Sequence, residues 1–346
     1  MRRLCFLCYI PDIGSGQSDN VVMLANVLSL AIYLRVQTPL YRRFELIRWC
    51  IGCYSRKGFG EHRSLFMKYS SAITQRGVSQ SKYAIELQNV TKRFLAPTGQ
   101  PYTALRDLSL SVAPGEFCAI VGPTGCGKST TLGLITGLER PSAGQVEVMG
   151  KPVQGIDPRI GYVFQSDAIF PWKNVLHNVA TGPLFRGQSK AEAFERARDW
   201  IARVGLSGFE DRYPHQLSGG MRKRVALAQT FINEPEILLM DEPFSALDVQ
   251  TRTLMEDELL HMWSSISASV VFVTHDLEEA ISLADRVCVL TAGPATVKGI
   301  YTIDLPRPRN LAEIRFEPRF VHLYQEIWED LRNEVVISYE RSKQQA

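Results

Sequence analysis

The sequence predicts an α/β protein: a core of short buried strands and helices, with an added antiparallel β subdomain and a helical insertion. Three observations lead there. Phe117-Cys-Ala-Ile-Val121 is continuously apolar and short, as a strand covered on both faces should be. Runs of the same kind recur at 159–164, 237–240, 270–274 and 286–290. Between 188 and 232 the apolar spacing is helical instead.

The elements follow in order. Ile85-Glu-Leu-Gln-Asn-Val90 and Leu108-Ser-Leu-Ser-Val112 alternate apolar and polar residues, so they read as half-buried antiparallel strands. Pro114-Gly115 is a turn. The strand Phe117–Val121 feeds a glycine-rich loop, and Ser129 to Ile135 reads as a helix. The last stretch, 311–346, reads as a short helical tail.

The formal net charge of the 346-residue chain is +3, too small to argue for a nucleic-acid partner. Residues 1–80 carry eleven Lys/Arg against four Asp/Glu, which leaves the remainder slightly acidic. The core is therefore not a basic nucleic-acid binder. Of seven cysteines, Cys118, Cys126 and Cys288 stand singly in apolar or glycine-rich segments, which suits free thiols in a reducing compartment. The most apolar run, Val21 to Leu34, contains Asn26 and Ser29 and ends at Arg35. It falls short of the roughly twenty residues a membrane span needs. No small-residue cleavage site marks it as a signal core. The chain reads as soluble, with any membrane role carried by a partner.

Residues 1–80 show no helical or strand period and are expected to lack fixed structure or to be absent from the native protein. The abrupt change of pattern suggests Met67 as the natural start, with the first 66 residues an over-extended reading of the gene. An intact mass that includes Met1 contradicts this. Cys5-x-x-Cys8 and Cys50-x-x-Cys53 could together bind zinc, but the interval between the pairs exceeds the usual spacing of about fifteen to twenty residues. The favoured reading is a segment without that function.

Chemistry concentrates further along. Gly122, Pro123, Thr124, Gly125, Cys126, Gly127, Lys128 and Ser129 fit the phosphate-binding pattern G-x-x-x-x-G-K-[ST], with Thr130 following on the helix. Glycines let backbone N–H groups converge on phosphate oxygens, and the helix points its positive end at the same anion. Lys128 should reach the β- and γ-phosphates, and Ser129 should ligate Mg²⁺. Ile237-Leu-Leu-Met240 ends in Asp241-Glu242, at the carboxyl edge of a buried strand where open α/β sheets bind ligands. Asp241 suits Mg²⁺, and Glu242 suits a general base on the attacking water. Alone, the pair could simply cap the next element.

Gln165 and His275 each follow a predicted buried strand and could meet the γ-phosphate, Gln165 also as a Mg²⁺ ligand that holds the attacking water. Standing alone, each would read as polar surface or structure. Ser218-Gly219-Gly220 opens a helix and makes a second anion site, or an ordinary helix cap. If one surface cannot enclose the nucleotide, two chains could pair antiparallel, each donating this segment to the other as a closed twofold dimer. Asp276, Glu278 and Glu279 read as acidic residues in a helix's first turn.

With these residues in place, positions 83–335 resemble the nucleotide-binding subunit of ABC transporters. The resemblance implies a P-loop NTPase fold: a RecA-like parallel-sheet core, an antiparallel β subdomain and an α-helical subdomain, within an ATPase domain over 83–310. It implies ATP and Mg²⁺ as ligands. Gly122 to Ser129 resembles Walker A, and Ile237 to Asp241 resembles Walker B. Glu242 corresponds to the catalytic glutamate, Gln165 to the Q-loop and His275 to the switch histidine. Ser245 to Asp248 matches the D-loop, and Leu217 to Gly220 the signature that acts in trans on a second copy. Phe94 takes the place of the aromatic that stacks on adenine, with Tyr102 as the alternative, because 95–101 looks like a small insertion. Lys223 stands where Gln is frequent.

A finer likeness, to the nitrate/sulfonate/taurine importers, rests on Phe170-Pro-Trp-Lys173, Leu217-Ser-Gly-Gly-Met-Arg222, Asp304-Leu-Pro-Arg-Pro-Arg309, Phe316-Glu-Pro-Arg-Phe320 and Ile327-Trp-Glu-Asp-Leu331. It implies a separate permease, a periplasmic solute-binding protein and a place at the cytoplasmic face of the inner membrane. Phe170 and Trp172 either receive a permease helix or fill the helical subdomain's own core. The competing class, a soluble ABC-type ATPase of DNA maintenance or translation, is disfavoured. The sequence has no long coiled-coil insertion, second nucleotide domain or basic core.

Overall fold

The computed structural model describes residues 82–95 and 99–345. The N-terminal cysteine pairs, the apolar run 21–34 and Met67 lie outside the described residues.

Two sheets organise the described chain. The first has the order β2-β1-β4-β5 and is antiparallel: β1 (Ile85–Leu95), β2 (Pro101–Val112), β4 (Ala143–Val148) and β5 (Lys151–Pro152). The second has the order β10-β9-β3-β8-β7-β6. In it β3 (Phe117–Val121), β6 (Ile160–Val163), β7 (Ile237–Asp241), β8 (Ser269–Thr274) and β9 (Arg286–Leu290) run parallel, and β10 (Val297–Thr302) closes one edge antiparallel. The alternating strands expected at 85–90 and 108–112 are real but longer. They continue as a hairpin that pairs Phe94 with Tyr102.

The continuous apolar runs explain the central sheet, because side chains alternate across a strand and both faces here are covered. Phe117, Ala119 and Val121 point into one core with Leu238, Met240, Val270 and Phe272. Cys118, Ile120, Leu239, Val271 and Val273 point into the other. The second core also holds the inner faces of β1, β2 and β4 and the helix α1 (Lys128–Ile135), so α1 lies between the sheets. The first core takes α2 (Val175–Val179), α4 (Lys190–Arg203) and α5 (Gly219–Phe231), with the short α3 (Thr181–Phe185) beside them. It also takes α6 (Val249–Ser264) and α7 (Leu277–Leu283).

The tail is one helix, α8 (Pro318–Gln345), of 28 residues. Phe320, Leu323, Ile327 and Leu331 recur at helical spacing and are buried in the first core. Asn178, wholly buried on α2, holds the turn before it. Its Oδ1 accepts from the Phe170 N–H at 2.7 Å, and its Nδ2 donates to the carbonyls of Phe170 and Lys173 at 3.1 and 2.9 Å.

Candidate functional site

Four strands deliver the site. β3 leads into the phosphate loop, β6 carries Tyr162 and leads to Gln165, β7 ends in Asp241 with Glu242 next, and β8 leads to His275. All four are parallel and adjacent in the sheet, so their carboxyl ends open on one edge.

The phosphate loop requires its glycines. Gly127 has φ +121°, and a Cβ there would lie 2.7 Å from Leu105 Cδ2. Gly122 is packed so that a Cβ would meet Cys126 Sγ at 2.9 Å. Pro123 and Cys126 face inward, whereas Thr124, Gly125 and Ser129 are exposed and Thr130 is half-buried. Burial pushes the Cys126 thiol above its ordinary range, so it is a packed neutral group. Lys128, only 5% exposed, donates to the carbonyls of Gly122 at 2.9 Å and Pro123 at 3.2 Å.

The two carboxylates part company at the strand end because Glu242 takes a left-handed backbone, φ 43°. Its N–H still donates to the Val273 carbonyl at 2.9 Å. Asp241 turns to the loop: Ser129 Oγ donates to its Oδ1 at 3.1 Å, and Tyr162 donates to its Oδ2 at 3.3 Å. Burial and then the Asp241 charge push the Tyr162 phenol far up, so it stays a donor. Glu242 gathers the rest. His275 Nδ1 lies 3.0 Å from Oε2, Gln165 Nε2 donates to Oε2 at 3.4 Å, and Lys128 Nζ lies 3.8 Å from Oε1. Gln165, Lys128, Ser129, Asp241, Glu242 and His275 thus form one cluster.

Ser218, Gly219 and Gly220 share no hydrogen bond or ion pair with that cluster among the described residues. Ser218 is exposed and caps α5, accepting from the Met221 N–H at 3.2 Å. Asp248 is exposed too and caps α6, accepting from the Thr251 N–H at 3.0 Å. That bond holds its carboxyl below the usual range. Gly220 packs toward Thr251, so the two caps are neighbours on the surface.

Phe94 and Tyr102 face each other across the hairpin. Their rings stack, 5.6 Å apart and 25° from parallel. Lys92 sits over Phe94 at 4.7 Å and is anchored on Glu139. Of the pair Phe170 and Trp172, the second is 71% exposed and so is not core; its ring leans on Phe170, 5.5 Å away. Phe170 also lines a groove of about 320 Å³ with Phe164, Asp167 and Phe185.

Asp276 caps α7, and Glu278 and Glu279 stand in its first turn, as the sequence predicts, but Glu279 does more than face the helix end. It is buried, accepts from Thr274 Oγ1 at 2.5 Å and lies 3.5 Å from Arg252 Nε. Glu256, on α6, is a second buried carboxyl that feels the charge of Glu279, and it gave no motif signal, because a single Glu in a polar helix reads as surface. Arg252 completes the link by donating to Asp276 at 2.9 Å, next to His275. Lys223, read only as a departure, proves to be buried.

Comparison with known proteins agrees with this geometry. The family profile described as ABC transporter matches residues 105–245. The chain is 48% identical over 235 residues to an uncharacterized ABC transporter ATP-binding protein of Methanocaldococcus jannaschii, covering 68% of this chain and 88% of that one. It is 40% identical over 253 residues to the nitrate import ATP-binding protein NrtD of Synechocystis, covering 72% and 95%. It is 43% identical over 240 residues to the spermidine/putrescine import ATP-binding protein PotA of Rubrobacter xylanophilus, covering 66% and 61%. Among solved structures, a dimeric ATP-binding cassette in a post-hydrolysis state bound to ADP and Pi superposes with a TM-score of 0.57 at 31% identity. The match covers 64% of this chain and all of that one. The fold is the ABC ATPase cassette, and this chain belongs to the ATP-binding proteins of ABC transporters, binding and hydrolysing ATP.

Proposed function

We propose that this ATPase energises import of a small solute of the nitrate, sulfonate or taurine kind through a separate membrane permease. The observation that carries the mechanism is the convergence of Gln165, Lys128 and His275 on the Glu242 carboxylate. The phosphates of ATP lie against the backbone N–H groups from Gly122 to Thr130, with Lys128 on the β- and γ-phosphates. Phe94, backed by Tyr102, stacks on adenine.

Ser129, Asp241 and Gln165 would hold Mg²⁺. Hydroxyl, carboxylate and amide oxygens fit a hard cation that takes few protein ligands, and Ser129 and Asp241 already touch. When bound, Mg²⁺ neutralises charge on the phosphate oxygens. Gln165 orients a water, and Glu242 accepts its proton as the water oxygen bonds to the γ-phosphorus. The bond to the β-phosphate oxygen breaks, leaving ADP and inorganic phosphate. His275 contacts the γ-phosphate and holds Glu242.

Ser218, Gly219, Gly220 and Asp248 face the nucleotide of a second copy in a head-to-tail pair. That a solved ATP-binding cassette similar to this chain is dimeric supports pairing of two copies. The ATPase domain spans 83–310 and the tail 311–346. No helix among the described residues is long and apolar enough to cross a membrane. In this reading a separate permease spans the membrane, and the chain works at its cytoplasmic face, with a periplasmic solute-binding protein delivering cargo. Trp172 and the groove at Phe170 and Phe185 receive the permease.

Import rests on the likeness to named import proteins and on the Phe170-Pro-Trp-Lys173 and Leu-Pro-Arg-Pro-Arg segments. The test is Glu242→Gln in the native gene, with labelled uptake of nitrate, an alkanesulfonate, taurine and spermidine. Loss of one of the first three is expected. Loss of spermidine uptake alone, or of none, overturns the solute class.

A further inference from the structure

The signature segment and the Gln165 loop are joined by a buried charge. Lys223, one turn into α5, is 2% exposed. Its Nζ donates to the carbonyl of Phe164 at 3.3 Å and to that of Gln165 at 3.2 Å, and lies 3.5 Å from Asp167 Oδ1. Arg222 Nε donates to the other carboxylate oxygen, Asp167 Oδ2, at 3.0 Å. The same guanidinium donates through Nη1 to the carbonyl of Leu217 at 2.8 Å. Asp167 is therefore a hub: one oxygen faces the cation that grips the Gln165 backbone, the other the cation that grips the residue before Ser218.

An ammonium taken this far out of water is kept only by acceptors arranged around it. Burial pulls the Lys223 pKa down, and Asp167 opposes that shift. The arrangement fixes the Gln165 carbonyl to α5 while the Gln165 amide faces Glu242. It thereby ties a chain's own hydrolytic cluster to the segment it offers its partner.

We propose that Lys223, Asp167 and Arg222 form a latch that transmits the state of one nucleotide site, through Gln165, to Ser218–Gly220 and so to the second site. The proposal rests on the paired-chain reading above. Lys223 touches no nucleotide in it and acts as a positioning residue. With the latch closed, a shift of the Gln165 loop carries α5 with it, and the two sites respond together. With the latch open, each responds alone.

The test uses the purified full chain, with ATPase rate measured against ATP concentration for wild type, Lys223→Met and Lys223→Gln. Met keeps the unbranched shape, one atom shorter, and removes every donor. Gln restores an N–H donor for the two carbonyls without the charge. We expect the wild-type Hill coefficient to approach its ceiling of about two, and Lys223→Met to bring it to about one with turnover reduced about tenfold. The KM for ATP should move far less than turnover, and Lys223→Gln should regain most of the cooperativity. A merely packing role would lower the melting temperature and leave the Hill coefficient alone. A folded Lys223→Met chain with wild-type cooperativity and turnover overturns the latch. If Lys223→Met does not fold, Asp167→Asn loosens both cations at nearly constant shape and carries the same two outcomes. The paired-chain reading is checked separately, by whether Glu242→Gln dimerises with ATP. No dimer overturns that reading and the latch with it; a dimer with unaltered cooperativity in Lys223→Met overturns the latch alone.

Discussion

His275 Nδ1 lies 3.0 Å from Glu242 Oε2, although the two residues follow different strands. The left-handed backbone at Glu242 makes this possible by turning its carboxylate away from Asp241. Such a conformation costs a non-glycine residue about 1–2 kcal/mol, and strain of this kind persists where the surroundings over-determine it. The neighbours Gln165, Lys128 and His275 supply that determination.

Replacing His275 by Ala removes one of those partners and the proposed donor for the γ-phosphate. Turnover should fall about 100-fold or more, with the KM for ATP little changed. Steady-state kinetics with saturating ATP and Mg²⁺ check this; wild-type turnover in the variant would dismiss His275 from the site.

Ser129→Ala removes the hydroxyl that reaches Asp241. The Mg²⁺ concentration for half-maximal ATPase should rise about tenfold, equivalent to about 1.4 kcal/mol. Excess EDTA should abolish turnover in wild type. A titration of rate against free Mg²⁺ reads both, and an unmoved midpoint removes Ser129 from the ligand set.

The Glu256–Glu279 pair makes stability depend on pH. Burial, then the charges of Glu279 and Asp276, push Glu256 up to about 8, against the opposing effect of Arg252 and Arg315. Burial chiefly pushes Glu279 up to about 7. Both start from 4.5. Between about pH 5 and 8 the folded chain keeps protons that the unfolded chain releases, so this contribution to stability is lost as pH rises through that window. Glu256→Gln should flatten the curve, gaining about 1–2 kcal/mol on wild type between its acid and alkaline ends. Urea denaturation of both proteins at several pH values measures the difference. Parallel curves would contradict the assignment.

Asn178 and Trp172 bear on the same turn in opposite ways. Asn178→Ala strips the Phe170 N–H of its acceptor, removes a donor from the carbonyls of Phe170, Lys173 and Asn174, and should cost about 2–3 kcal/mol. Trp172→Ala alters an exposed ring and should stay within about 0.5 kcal/mol, with ATPase activity kept and uptake lost. Chemical denaturation of both variants, with uptake in cells for Trp172→Ala, decides. A strongly destabilised Trp172→Ala would return that ring to the core.

What was legible in the sequence is what local spacing dictates. Phosphate binding needs glycines and Lys128 within one loop, and the strand-end residues Gln165, Asp241 and His275 follow apolar runs that announce themselves. The strands β4, β5 and β10 went unread, because Ala143–Val148 is half polar, Lys151–Pro152 is two residues long and Val297–Thr302 is an edge with one open face. Side-chain geometry across long separations was illegible too. Nothing local to Lys223 says that it grips Gln165, and nothing local to Tyr162 says that it reaches Asp241. The stacking of Phe94 on Tyr102 depends on a hairpin register that the intervening residues conceal.

In the proposed mechanism Glu242 activates water for hydrolysis while ATP holds two chains together. The direct measurement is Glu242→Gln assayed for turnover and, by sedimentation, for dimer with ATP and Mg²⁺. The expected result is a stable ATP-dependent dimer with turnover reduced at least about 100-fold. Near wild-type turnover in that variant would contradict it.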